Sequence, residues 1–199
     1  MGFSISWIGV RGRGKDDVLA ELNLADTGVA DTENTARFSC AELPNGWLIV
    51  SSTKFDFASP KTIAGVSSGG LAVGCAVEER VMFSGVRAYE DGRLKWSVIH
   101  DSDNGIYDLS IGGEAPAELA DIRDRLMRQQ DEKGGSKADV DFVFEIPIEL
   151  AHAVCGFRHN GEMPDPMPFF TELEPELPPR GPKGPGLGAW IAGLFRGGG

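Results

Sequence analysis

Apolar and polar positions alternate most clearly in the middle of the chain, from Leu71 to Ile111. Short β-rich runs follow one another there and turn at Asp91-Gly92. Asp-Gly between two such runs is a strong hairpin signal, because a type I′ turn needs positive φ at both central residues. A turn centred there pairs Glu90 with Arg93, Tyr89 with Leu94, Arg87 with Trp96 and Phe83 with His100. Residues two apart share a face of a strand. Val81, Phe83, Tyr89, Leu94, Trp96 and Val98 are therefore the expected inner face, with Arg87 lying across the Trp96 ring. Met82, Ser84, Ala88, Glu90, Lys95 and Ser97 are the expected solvent face. Leu71–Val77 reads as a strand entering this hairpin and Ile106–Ile111 as one leaving it. Such a meander needs a covering layer to bury its apolar side.

The flanking sequence supplies that layer. Residues 3–10 alternate as a first strand, and Lys15–Leu22 places Val18, Leu19 and Leu22 at helical spacing behind Asp16 and Asp17. Asn23–Arg37 is polar and reads as loop. Phe38–Leu43 and Trp47–Ser51 flank Pro44-Asn45-Gly46 as a second hairpin. Ser59-Pro60 is an N-cap followed by proline at the first helical position, opening a short helix. Pro116 to about Glu132 is the strongest helical pattern, with Leu119, Ile122 and Leu126 inward and Asp121/Arg125 and Asp124/Arg128 paired outside. Val140–Ile146 alternates as a strand, and Pro147 opens a last helix that Gly156 closes. The pattern predicts an α+β fold: a mostly antiparallel sheet over residues 1–160, covered by a few helices.

Beyond Asn160 the composition changes. Eight of the twelve prolines lie there, charges are acidic from Glu162 to Glu176, and basic from Arg180 onward. Residues 161–186 read as a Pro-rich extended linker, and 187–199 as a short docking segment in a Pro/Gly-rich C-terminal tail. Leu187, Trp190, Ile191, Leu194 and Phe195 fall on one helical face. Gly188, Gly193 and Gly197 weaken that helix in isolation, so it is expected to order on docking.

Charge narrows the function classes. The net charge of -11 disfavours nucleic acid, whose binding rests on neutralising phosphates. The same charge suits a partner with a basic surface. Three widely spaced cysteines without a CxxC fit a reducing compartment, and no apolar run reaches the ~20 residues of a membrane span. A cytoplasmic protein is expected. Met1-Gly2 with Ser6 fits a myristoylation pattern, but the alternation of residues 3–7 reads more simply as strand.

Four constellations bear on chemistry. Gly9-Val-Arg-Gly-Arg-Gly14-Lys15 follows a strand, opens a helix and resembles a nucleotide-binding P-loop as far as Lys15. Asp16 stands where that family has the Mg²⁺-binding Ser or Thr, and hairpins replace its parallel βαβ units, so no nucleotide or other cofactor is expected. Asp101-Ser-Asp103-Asn104-Gly105 matches the start of a calcium loop, then fails at the positions an EF-hand needs for a ligand, a glycine and a glutamate. It leaves Asp101 and Asp103 as weak cation ligands. His152 and Cys155 lie three residues apart on the last helix, with His159 just beyond, which makes them the candidate set for a hydrolase or thiol-dependent enzyme. The fourth is the apolar face of residues 187–195, which reads either as folding back onto the domain to complete its core or as a helix-in-groove ligand for another protein. A membrane-surface anchor is a further reading of that face, although its single Arg196 offers little attraction to lipid. No coherent catalytic set emerges. The expected function is that of an acidic, non-catalytic binding protein, in its most specific form an immunity-type or regulatory partner of a basic protein.

Overall fold

The computed structural model describes residues 2–32, 35–160 and 169–176. Nine antiparallel strands form one sheet: β1 (Ser4–Arg11), β2 (Leu24–Ala30), β3 (Phe38–Glu42), β4 (Leu48–Ser52), β5 (Leu71–Glu78), β6 (Phe83–Glu90), β7 (Arg93–Asp101), β8 (Ser110–Gly113) and β9 (Thr171–Pro175). Their order across the sheet is β2-β9-β3-β4-β1-β5-β6-β7-β8. Four helices complete the α+β fold: α1 (Lys15–Leu22), α2 (Pro60–Val66), α3 (Glu118–Glu132) and α4 (Glu145–Cys155).

The sheet is covered on both faces, because β1 is apolar on both. Ile5 and Trp7 point to the side carrying Val73, Cys75, Val86, Trp96 and Val98, where α3 and α4 pack with Leu119, Leu126, Leu150 and Cys155. Ile8 and Val10 point the other way, to Cys40, Val50 and Ala72, where α1 and α2 supply Val18, Leu19, Ile63 and Val66. Two glycines admit the helices. A Cβ at Gly9 would lie 3.1 Å from Cys155 Sγ, and one at Gly74 would lie 2.3 Å from Ile63 Cδ1. Gly9 thus makes room for α4 and Gly74 for α2.

The hairpin turns at Asp91 (φ 49°) and Gly92 (φ 74°), as type I′ requires. Glu90 pairs with Arg93 and Tyr89 with Leu94, as expected. A bulge at Lys95 then shifts the register by one residue, so Ala88 pairs with Trp96, Arg87 with Ser97 and Ser84 with His100. A one-residue slip exchanges faces. Ala88 and Ser84 are therefore buried, Leu94 is exposed and Arg87 faces away from Trp96; Val81, also exposed, lies in the turn before β6. The cation–π contacts are instead Arg11 over Trp47 and Arg37 over Phe38.

Other expectations need correction. Leu24–Ala30 is a strand, not a loop. Val140–Ile146 is no strand: α4 begins at Glu145, with Pro147 in its first turn, where a proline leaves no hydrogen bond unmade. Arg125 pairs with Glu149 of α4, and Asp124 with its neighbour Arg123, in place of the expected i,i+4 pairs. Thr171–Pro175, expected within the 161–186 linker, is a strand inserted between β2 and β3, and Leu173 is buried there. Residues 161–168 and 177–199 lie outside the described residues, and with them Leu187, Trp190, Ile191, Leu194 and Phe195.

Candidate functional site

The P-loop-like segment is used for packing and tethering. Gly9 lies inside β1, paired with Ile49 and Val73, far from the geometry of a phosphate cradle. Gly14 is the N-cap of α1. Lys15 Nζ donates to Asp26 Oδ2 of β2 at 2.5 Å. Burial opposes the ammonium charge, but this bond and the surrounding negative charges together outweigh it and raise the Lys15 pKa. Arg13 reaches the carbonyls of Val66 and Asp17, and Arg11 that of Asn45.

The thiol candidates are not brought together. Cys155 is 0% exposed beneath α4, while His152 on the same helix is exposed. Burial pushes the Cys155 thiol well above its usual pKa and the Cys75 thiol up to about 12. Neither is poised as a thiolate nucleophile. His159 is 9% exposed, packs edge-on to Phe3 at 5.3 Å, and neither ring nitrogen has a hydrogen-bond partner. Burial, reinforced by Arg158, lowers its pKa to about 4, so it is neutral near pH 7. Asp101 caps a short 3-10 turn, accepting from Asp103 N–H, and no cluster of metal ligands occurs among the described residues. The Asp101 carboxylate is thus used as a cap, and Asp103 enters the turn through its backbone N–H.

The buried polar centre is elsewhere. His100, 0% exposed on β7, contacts the Asp108 carbonyl at 2.7 Å through Nδ1 and Asp141 Oδ2 at 3.0 Å through Nε2. Neither an amide carbonyl nor a carboxylate can donate, so both ring nitrogens must. An ionised Asp141 thus pairs with His100 in its imidazolium form. Burial opposes that charge, but the two bonds outweigh it and raise the pKa. Asp141 Oδ1 also accepts from Phe144 N–H, at the start of α4. Next to it, fully buried Gln130 donates to the carbonyls of Gly135 and Val140 and accepts from Phe142 N–H. These groups leave no free valence for a substrate. They stitch the 134–144 segment to α3 and β7, and sequence reading missed both partners because Asp141 and Gln130 are distant in the chain.

Two surface features remain, and they adjoin. One is an acidic edge. A concavity of about 300 Å³ gathers Asp16 of α1, Asp26 of β2 and Glu176, with Leu19, Leu24 and Ala25 at its floor. Asp17, Glu21 and Glu174 are exposed on the same elements. The cations there, Arg13 and Lys15, are held by the internal bonds described above. The other is a groove of about 400 Å³ between α1 and α2, lined by Leu22, Leu24, Phe38 and Phe57, with Glu21 and Lys61 at its rim. It exists because α1 and α2 are only 8 and 7 residues long, whereas the opposite face has helices of 15 and 11.

No helix among the described residues is long and apolar enough to cross a membrane. No protein-family model matches the chain, and neither a curated protein nor a solved structure matches it.

Proposed function

We propose that this chain is a non-catalytic binding protein whose acidic edge, formed by α1, β2 and β9, receives a basic surface of a protein partner. One observation carries the reading. Asp16 of α1, Asp26 of β2 and Glu176 just past β9 line one concavity, with Asp17, Glu21 and Glu174 exposed on the neighbouring elements; Lys15 neutralises only Asp26, so the carboxylates of this edge outnumber its cations. Such a predominantly acidic edge speeds encounter with an oppositely charged partner and disfavours nucleic acid. Exposed Ala20 and Ala25 in the same concavity add a small apolar contact area beside the charges. An immunity-type protein that masks a basic toxin or nuclease is the specific form of this proposal, acting in the cytoplasm.

The test is affinity capture from the source lysate with the full chain and with a Glu21→Lys, Glu174→Lys, Glu176→Lys variant. These side chains are exposed, so the fold should survive. A basic protein retained by the wild type at low salt, released by high salt and lost with the triple variant is the expected result. Equal retention by both chains, or retention of nothing at low salt, removes the acidic edge as the interface.

A further inference from the structure

The groove between α1 and α2 points to an occupant within the chain itself. Its walls, Leu22, Leu24, Phe38 and Phe57, form an apolar trough in a size range roughly typical of ligand pockets, about 300–1,000 Å³. The chain leaves β9 at this corner. Glu176 N–H donates to the carbonyl of Asn23 at 2.8 Å, and Asn23 sits between the wall residues Leu22 and Leu24. The sequence that follows is 177–199, which ends in the apolar face of Leu187, Trp190, Ile191, Leu194 and Phe195. Between lie residues 177–186, four of them proline. At about 3.1 Å per residue in an extended Pro-rich chain they reach some 30 Å, against a length of about 12 Å for an eight-residue helix such as α1. Return to the groove is within reach.

Charge agrees. The ionisable side chains of 177–199 are Arg180, Lys183 and Arg196, all basic. The corner they leave carries Asp16, Asp17, Glu21, Glu174 and Glu176, and Lys61 is the opposing charge at the groove rim. We propose that the segment Leu187–Phe195 docks in cis in the α1/α2 groove, with Trp190 as its anchor and the basic residues laid over the acidic edge. A short tether holds such a segment near its site at an effective concentration of order mM, so even modest intrinsic affinity keeps the groove filled. The docking itself stands whether or not the acidic edge meets a basic partner.

The experiment uses the full chain with Trp190→p-benzoylphenylalanine, irradiated and mapped by mass spectrometry. Mixing with an isotopically heavy copy separates adducts within a chain from adducts between chains. The expected result is intrachain adducts on the peptides carrying Leu22, Phe38 and Phe57. A second variant, Gly65→Leu, fills the groove: a Cβ at Gly65 meets only Glu21 Oε1, at 3.4 Å, so the helix accepts it. Adduct yield should then drop about tenfold, the size expected for losing one well-filled apolar site. Adducts on α3 or α4, adducts only between chains, no adducts, or a yield unmoved by Gly65→Leu would each overturn the assignment. The photoadduct is read on a chain with the acidic edge intact and with no partner present, so the docking and the partner reading can fail independently.

Discussion

His159→Phe is expected to make the protein more stable, and more so as the pH falls. The ring is 9% exposed, lies against Phe3 and has two nitrogens without hydrogen-bond partners. Phenylalanine keeps the edge contact and removes both unpaired polar atoms, each of which costs about 1–3 kcal/mol when buried. The pH dependence can be worked out. The folded-state pKa is about 4 and the ordinary value is 6.5. Between these values the unfolded chain binds a proton that the folded chain does not, so stability rises with pH across that window. Integrating between pH 7 and pH 5 gives a loss of about 2 kcal/mol in the wild type that the variant should not suffer. Urea unfolding of both proteins at the two pH values measures this directly. The stability gap should widen by about 2 kcal/mol on going to pH 5. A gap that is equal at both pH values, within about 0.5 kcal/mol, would refute the claim that His159 is held neutral by its surroundings.

His100 should give the opposite limb. Its raised pKa means the folded chain holds the proton longer, so its contribution is full below about pH 6.5 and fades as pH rises through the folded value. His100→Gln should flatten that alkaline fall in thermal unfolding curves, and Asp141→Asn, which strands the buried cation, should cost about 3–5 kcal/mol. Gln130→Leu removes three hydrogen bonds at a site with 0% exposure and leaves Phe142 N–H and two carbonyls without it. About 2–4 kcal/mol should be lost, with amide exchange accelerated first over residues 134–144, and a loss under about 0.5 kcal/mol would count against the stitching role. In the native state all three cysteines, which are buried, should resist a neutral-pH alkylating agent and react together only on unfolding; selective labelling of Cys155 would reopen the thiol-enzyme reading.

The sequence announces an element when its own residues carry the instruction. Asp91-Gly92 specifies positive φ locally, and Ser59-Pro60 specifies a cap, whose side chain accepts from Thr62 N–H as expected. The bulge at Lys95 is not local in this sense. It satisfies the burial of Trp96 and Ala88 against α3 and α4, which no window around the turn contains. β2 and β9 stayed hidden because edge and near-edge strands need little hydrophobic alternation. Leu24 is the one fully buried residue of β2, and Leu173 that of β9, whose Pro175 and glutamates resemble a linker. Among site residues, helical spacing placed His152 and Cys155 correctly around α4 but could not tell which one the sheet would cover. The acidic edge was legible only as net charge, since it is assembled from residues 16–26 and 174–176 by that same hidden strand.

The position of β9 has a temporal consequence. It lies between β2 and β3 although about 140 residues separate it from them in sequence, so β2 has no neighbour in the sheet until residue 175 has been synthesised. Closure of so long a loop is entropically slow, and it comes last. On the ribosome the nascent chain would carry an open β3 edge and a dangling β2 through most of its synthesis, in the form most prone to pair with other chains. Any shortened version ending near Asn160 would stay in that state permanently. The acidic edge would therefore form only after the rest of the described sheet, and its appearance would report that this sheet had closed.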